Sequence, residues 1–244
     1  MNYADQYLNT IKSILETIED KERPAIHAAA SLVASTLSQG GFLYTFGTGH
    51  SHMLAEEVFY RAGGLVRVYP IFAEPLMLHN GAENSSQWER TSGLAQVILR
   101  DTPIKSGDTI IICSNSGRNA VPVEMASCCR DMGVHVIALT NMEHTLQSSP
   151  RNPLGKNLYE LADVVLDNHG CVGDAALPTP LGINICPTST AIGAVLLQMV
   201  VARAVERMLQ QGIPLECFHS SNVDGGGEMN EAYCKKYKSF IRPL

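Results

Sequence analysis

The sequence predicts an α/β fold, a parallel sheet with helices on both faces, and three observations carry that expectation. From residue 41 onward, short apolar runs of strand type alternate with stretches whose apolar positions recur at helical spacing. Two of the runs, Thr109–Cys113 and 134–139, are almost continuously apolar, as strands covered on both sides are. Two strands also end in a glycine- and serine-bearing turn that opens a helix: Gly47-Thr48-Gly49-His50-Ser51 and Ser114-Asn115-Ser116-Gly117.

In chain order, residues 1–40 read as two helices. Tyr7, Ile11, Ile14, Leu15 and Ile18 share one face, Asp20-Lys21-Glu22-Arg23-Pro24 restarts the pattern through Ile26, Ala30, Val33 and Leu37, and Gly40-Gly41 ends it. This pair holds three Lys and Arg against five Asp and Glu, which suits packing helices at a dimer contact better than a DNA-binding module. Strands are expected at 42–46, 65–69, 108–113, 134–140 and 163–166. Helices are expected at 51–62, 88–100, 119–132 and 188–211, with a tail helix near 228–240. Residues 167–187 lack periodicity and read as a long loop, of the kind that usually carries function. The expected organisation is a helix pair at 1–40, a ligand-binding unit at 41–225 and a tail at 226–244.

With 244 residues, 45% of them hydrophobic, the chain can bury a substantial core. No apolar run approaches the ~18 residues of a bilayer span. The start, Met1-Asn2-Tyr3-Ala4-Asp5-Gln6, carries no secretory pattern. Seven cysteines without Cys-x-x-Cys spacing suit free thiols in a reducing cytoplasm. A formal net charge of −6 argues against a nucleic-acid surface. It also means that any phosphate must be held by local groups, because the mean field of the molecule repels it.

Strand, glycine turn and helix together point backbone N–H groups and the positive helix end at an anion. In parallel sheets ligands lie at the carboxyl ends of the strands, where both turns fall. Pro187-Thr188-Ser189-Thr190 opens the long helix at 188–211 and offers a third hydroxyl-bearing helix start. Three such starts predict one small phosphorylated ligand. A dinucleotide is disfavoured: His52 stands where the third glycine of that fingerprint belongs, and no acid follows the next strand until Glu74. His52 and Glu56 have the spacing of helix metal ligands, with His50 nearby, but no second ligand pair accompanies them. Neither cofactor nor metal is expected. Cys113 reads as a small buried hydrophobe, and Arg118 as a loop cation within reach of a phosphate.

The three motifs together resemble the sugar isomerase (SIS) domain family, over about residues 25–225. The whole chain most resembles bacterial cytoplasmic proteins known by that domain alone, and more distantly phosphoheptose isomerase and N-acetylmuramic acid 6-phosphate etherase. The resemblance implies a three-layer α-β-α sandwich around a five-stranded parallel, flavodoxin-like sheet, preceded by the two N-terminal helices. It implies that Ser51, Ser114, Ser116 and Thr190 hold the phosphate, with Gly49, Asn115, Asn119 and Ser189 beside them. Gly81-Ala82-Glu83-Asn84-Ser85 resembles the etherase segment that carries an acid/base glutamate, which makes Glu83 the first candidate for catalysis. Glu57, on the helix after the first turn, and His219, near the glycine-rich 224–227 segment, are the further candidates, with His169 an alternative for ring opening. The chain departs from its relatives elsewhere. Arg61 stands near the second etherase glutamate, Glu57 and Arg61 replace the metal ligands of phosphoheptose isomerase, and Asn184 replaces the base of glucosamine-6-phosphate isomerisation. The expectation is a cytoplasmic homodimer or homotetramer that acts on a phosphorylated sugar or amino sugar by isomerisation or a related lyase step. The alternative is a non-catalytic sugar-phosphate sensor.

Overall fold

Asn2 opens the first helix, α1 (Tyr3–Lys21), by accepting the amides of Ala4 and Asp5 on its side-chain oxygen. Pro24 has no N–H to give and stands in the first turn of α2 (Arg23–Ser38), so the break between the two helices falls at Glu22. The computed structural model describes residues 2–244.

Five strands then form one sheet: β1 (Leu43–Gly47), β2 (Val68–Pro70), β3 (Thr109–Cys113), β4 (His135–Thr140) and β5 (Val164–Asp167). Their order is β2-β1-β3-β4-β5 and every pair is parallel. The continuous apolar runs are explained by the two faces. Leu43, Ile111, Cys113, Ile137 and Leu139 pack against α2, α3 (His52–Glu57) and α8 (Ser189–Gln210). Tyr44, Phe46, Ile110, Ile112 and Val136 pack against α5 (Leu94–Arg100), α6 (Ala120–Asp131) and the end of α9 (Gly226–Tyr237). Successive side chains point to opposite sides, so a strand buried twice must be apolar at each position. The result is the expected α-β-α sandwich. Among the described residues no helix is long and apolar enough to cross a membrane.

Four expectations need correction. The helix expected at 51–62 ends at Glu57, and the chain leaves it through Tyr60 at φ 42° and Gly63 at φ 78°. The helix expected at 88–100 begins only at Leu94 as α5, after Gly93 at φ 85°, and a separate helix, α4 (Ala82–Trp88), precedes it. The strand expected at 65–69 begins at Val68, and Leu65 instead bridges Cys217. The long loop at 167–187 contains an antiparallel hairpin, β6 (Ala175–Pro178) and β7 (Asn184–Pro187). Pro178 and Pro187 mask its alternation; both lie at strand ends, the places a ladder tolerates proline. The hydroxyl of Tyr7 donates to the carbonyl of Pro187 at 2.8 Å and ties the hairpin to α1.

Helices α3 and α8 run side by side in the same direction. Leu54 lies on the bare backbone of Gly193, where an added Cβ would come 2.7 Å from the Leu54 side chain. One turn further on, Gln198 donates to Glu57 at 3.1 Å. Replacing Gly193 with Val overfills this contact and should cost about 1–3 kcal/mol in urea unfolding. The exposed Ala191→Val on the same helix should stay within about 0.5 kcal/mol.

Candidate functional site

Strand β1 ends at Gly47, and residues 49–51 make one 3₁₀ turn before α3. The turn closes tightly: a Cβ on Gly47 would lie 2.2 Å from the Ser51 carbonyl oxygen, so only glycine fits. Ser51 caps α3 without a side-chain bond, which leaves its hydroxyl uncommitted. The His52 ring is turned back toward the Gly49 carbonyl and is buried. It stands edge-to-face with His79, 5.9 Å between centroids.

The register of β1 on β3 pairs Gly47 with Cys113, so the second turn starts beside the first. Ser114 is buried, accepts the Gly117 amide on its hydroxyl at 3.2 Å, and donates its own amide to Leu139. Asn115 and Ser116 remain partly exposed. Asn119 caps α6 without a side-chain bond to the helix; its oxygen and the Nε of Arg118 are buried with no protein partner. Burial pushes the Cys113 thiol up to about 12, so it is no nucleophile at neutral pH.

The third helix start joins these two. Gly170 lies among Asn141, Thr188 and Asn168: a Cβ there would meet a polar side-chain atom of each at 3.0, 3.0 and 3.2 Å. Asn168 in turn donates to Asn115 at 2.8 Å. Thr188, Ser189 and Thr190 therefore open onto the end of the sheet where the first two turns lie. An internal anion already sits there. The carboxylate of Asp174, a residue at φ 69°, accepts the amides of Thr188 and Ser189 at 3.0 and 2.8 Å and the Ser189 hydroxyl at 2.6 Å.

The candidate acids and bases are distributed unevenly. Exposed Glu83 lies in the first turn of α4, which packs against the turn at Gly49–Ser51. Glu57 is partly buried and engaged by Arg61 and Gln198. His169 is bound between Glu22 and Asp167, at 3.0 and 3.3 Å. His219 is not brought to the three turns. Its backbone is held by Asn230, and Phe218 pairs with Gly63 and Gly64 in the segment leading to the amino end of β2. Among the described residues no cluster of three or more His, Cys, Asp or Glu has the arrangement of a metal site. The sequence reading passed over Asn141, Asn168 and Asp174. A signal for the first two existed: β4 and β5, like β3, are followed within two residues by an asparagine.

Comparison with known proteins gives the family and the fold. The SIS domain family matches residues 6–141. A UPF0309 protein of Geobacillus kaustophilus is 42% identical over 98% of this chain and 96% of its own length, and one of Halalkalibacterium halodurans is 41% identical over 96% and 94%. The chain belongs to the UPF0309 family of SIS-domain proteins. Among solved structures, phosphoheptose isomerases from Francisella tularensis and Neisseria gonorrhoeae share the fold at TM-scores of 0.55 and 0.54. Their identities are 17% and 15%, and the match covers 83% of this chain in both, with 100% and 95% of theirs.

His144, on the short helix α7 (Met142–Leu146) above the second turn, faces Arg118 and Asp174. Burial, and then the Arg118 charge, hold its pKa below the ordinary histidine value, against the pull of Asp174. The folded state thus resists a proton that the unfolded chain takes up. Stability should fall as pH drops through the unfolded value of about 6.5, down to the lower folded value. His144→Gln should flatten that part of the curve of urea midpoint against pH and leave the slope above pH 7 unchanged. Gly47→Ala should cost about 1–3 kcal/mol in the same assay, because the Ser51 carbonyl has to move.

Proposed function

We propose that this protein binds a phosphorylated sugar or amino sugar at the carboxyl end of its sheet and isomerises it, or carries out a related lyase step, with Glu83 as acid and base. One observation supports this reading most: three hydroxyl-bearing helix starts converge on one place in a molecule of net charge −6. The phosphate is held by the hydroxyls of Ser51, Ser114, Ser116 and Thr190, with Arg118 in the second turn supplying a cation. Hydroxyls and amides preoriented in this way bind a dianion without a basic patch. Glu83 stands beside the first turn and takes the proton from the carbon next to the sugar carbonyl. Returning it to the neighbouring carbon completes an aldose–ketose exchange. The site works in a cytoplasmic homo-oligomer. Seven free cysteines fit a reducing compartment, and the hairpin tip exposes Leu181 and Ile183 to a second copy.

The test is to mix the protein with aldose and ketose 5- and 6-phosphates in heavy water and follow C–H exchange by NMR. The expected result is exchange at one carbon of a sugar that binds. Glu83→Gln should reduce that exchange by about 10²–10⁴ while binding persists. A ligand at about 100 times its dissociation constant should add roughly 2.7 kcal/mol to stability. Binding without exchange for every sugar would make the protein a sensor instead, and the absence of any binding would end the phosphosugar reading.

A further inference from the structure

The hydrogen-bond ladder of the sheet runs on past the strand ends: the Asn141 amide donates to Asn115, and the Asn168 amide to Thr140. Three asparagines thus stand side by side behind β3, β4 and β5, and their side chains form a chain of their own. Asn141 Nδ2 donates to Asn168 Oδ1 at 3.0 Å, and Asn168 Nδ2 donates to Asn115 Oδ1 at 2.8 Å.

Backbone groups fix the direction of this chain. The Gly170 amide donates to Asn168 Oδ1 at 3.0 Å, and the His144 amide donates to Asn141 Oδ1 at 2.7 Å. A main-chain N–H can only donate, so turning either carboxamide over would set donor against donor. Asn141 and Asn168 are fully buried, where such a clash has no water to relieve it. The backbone carrying Asn168 is clamped as well: the Asp167 amide donates to Glu22 at 3.2 Å, and His169 is bound between Glu22 and Asp167. The outcome reaches Asn115. Its oxygen is taken by Asn168, while its Nδ2 has no partner among the described residues and the residue is half-exposed.

We propose that Asn168, backed by Asn141, is a positioning residue that holds the Asn115 carboxamide with its N–H donors toward the ligand. At Asn115 the second turn then offers donors only, to a ligand group that accepts hydrogen bonds, such as a phosphate or carbonyl oxygen. The identity of the ligand rests on the phosphosugar reading; the orientation of Asn115 does not.

Two measurements on the full chain decide it. In side-chain amide hydrogen exchange by NMR, the NH₂ groups of Asn141 and Asn168 should be protected and that of Asn115 should exchange freely. Asn168→Asp keeps the acceptor for Gly170 but has no donor for Asn115, so it should reverse the state of Asn115 to protected. A protected Asn115 in the wild type, or no change in Asn168→Asp, overturns the proposal. The second measurement is a cycle of Asn115→Ala, Asn168→Ala and the double variant, titrated with glucose 6-phosphate, fructose 6-phosphate and inorganic phosphate. Each single change should weaken binding about tenfold or more, and the double variant no more than Asn115→Ala alone. Losses that add overturn the proposal. If Asn168→Ala does not fold, Asn168→Asp takes its place in the cycle. A wild type that binds none of the three probes counts against the phosphosugar reading, and the exchange pattern still decides the orientation.

Discussion

The pairing of Gly47 with Cys113 across two neighbouring parallel strands is the constraint from which the candidate site follows. Parallel strands end on the same side, so any turn that follows them opens on that side. Had β1 and β3 been antiparallel, Ser51 and Ser114 would stand at opposite ends of the sheet. The β3–β4–β5 ladder then extends the same edge through Asn115, Asn141 and Asn168. The close contact of Leu54 with Gly193 sets the start of α8 beside the start of α3. The site is thus a product of sheet direction and of two close backbone approaches, at Gly47 and Gly193.

Its electrostatics depend on short-range order. The molecule is acidic, and Arg118 in the second turn has a buried Nε with no partner among the described residues. An anion bound here would meet dipoles, amides and hydroxyls fixed before it arrives, which lose little on binding because they need not reorganise. Asp174 shows that one of these helix starts attracts negative charge, since the chain places its own carboxylate on it.

Much of the fold was legible in the sequence because burial writes directly into composition. Ile110, Ile111 and Ile112, a short β-branched run, suit a strand covered on both sides, and Pro24 and Gly40-Gly41 bound the second helix by their backbone chemistry. The two serine turns were legible for the same reason, since strand and helix patterns meet at glycine. The hairpin at 175–187 was not, because its prolines stand where alternation would be read. The start of α5 at Leu94 follows the turn Thr91-Ser92-Gly93, and a glycine next to a helical pattern is an ambiguous boundary. The asparagines that follow β4 and β5 were visible as a pattern, but Asn141 meets Asn168 only across 27 residues, and Asp174 reaches Thr188 only once the hairpin folds the 14 residues between them. His219 shows the converse. A motif-based likeness pointed to it, and within one copy of the chain Phe218 beside it is held by Gly63 and Gly64 before β2.

The most direct test of the convergence is a crystal structure of the protein with a bound sugar phosphate. The account predicts a phosphate within hydrogen-bond distance of Ser51 and of Ser114 or Ser116, at the amino end of α6, with the sugar carbons toward Glu83. A phosphate bound at the amino end of the sheet, or one touching only a single turn, would contradict it.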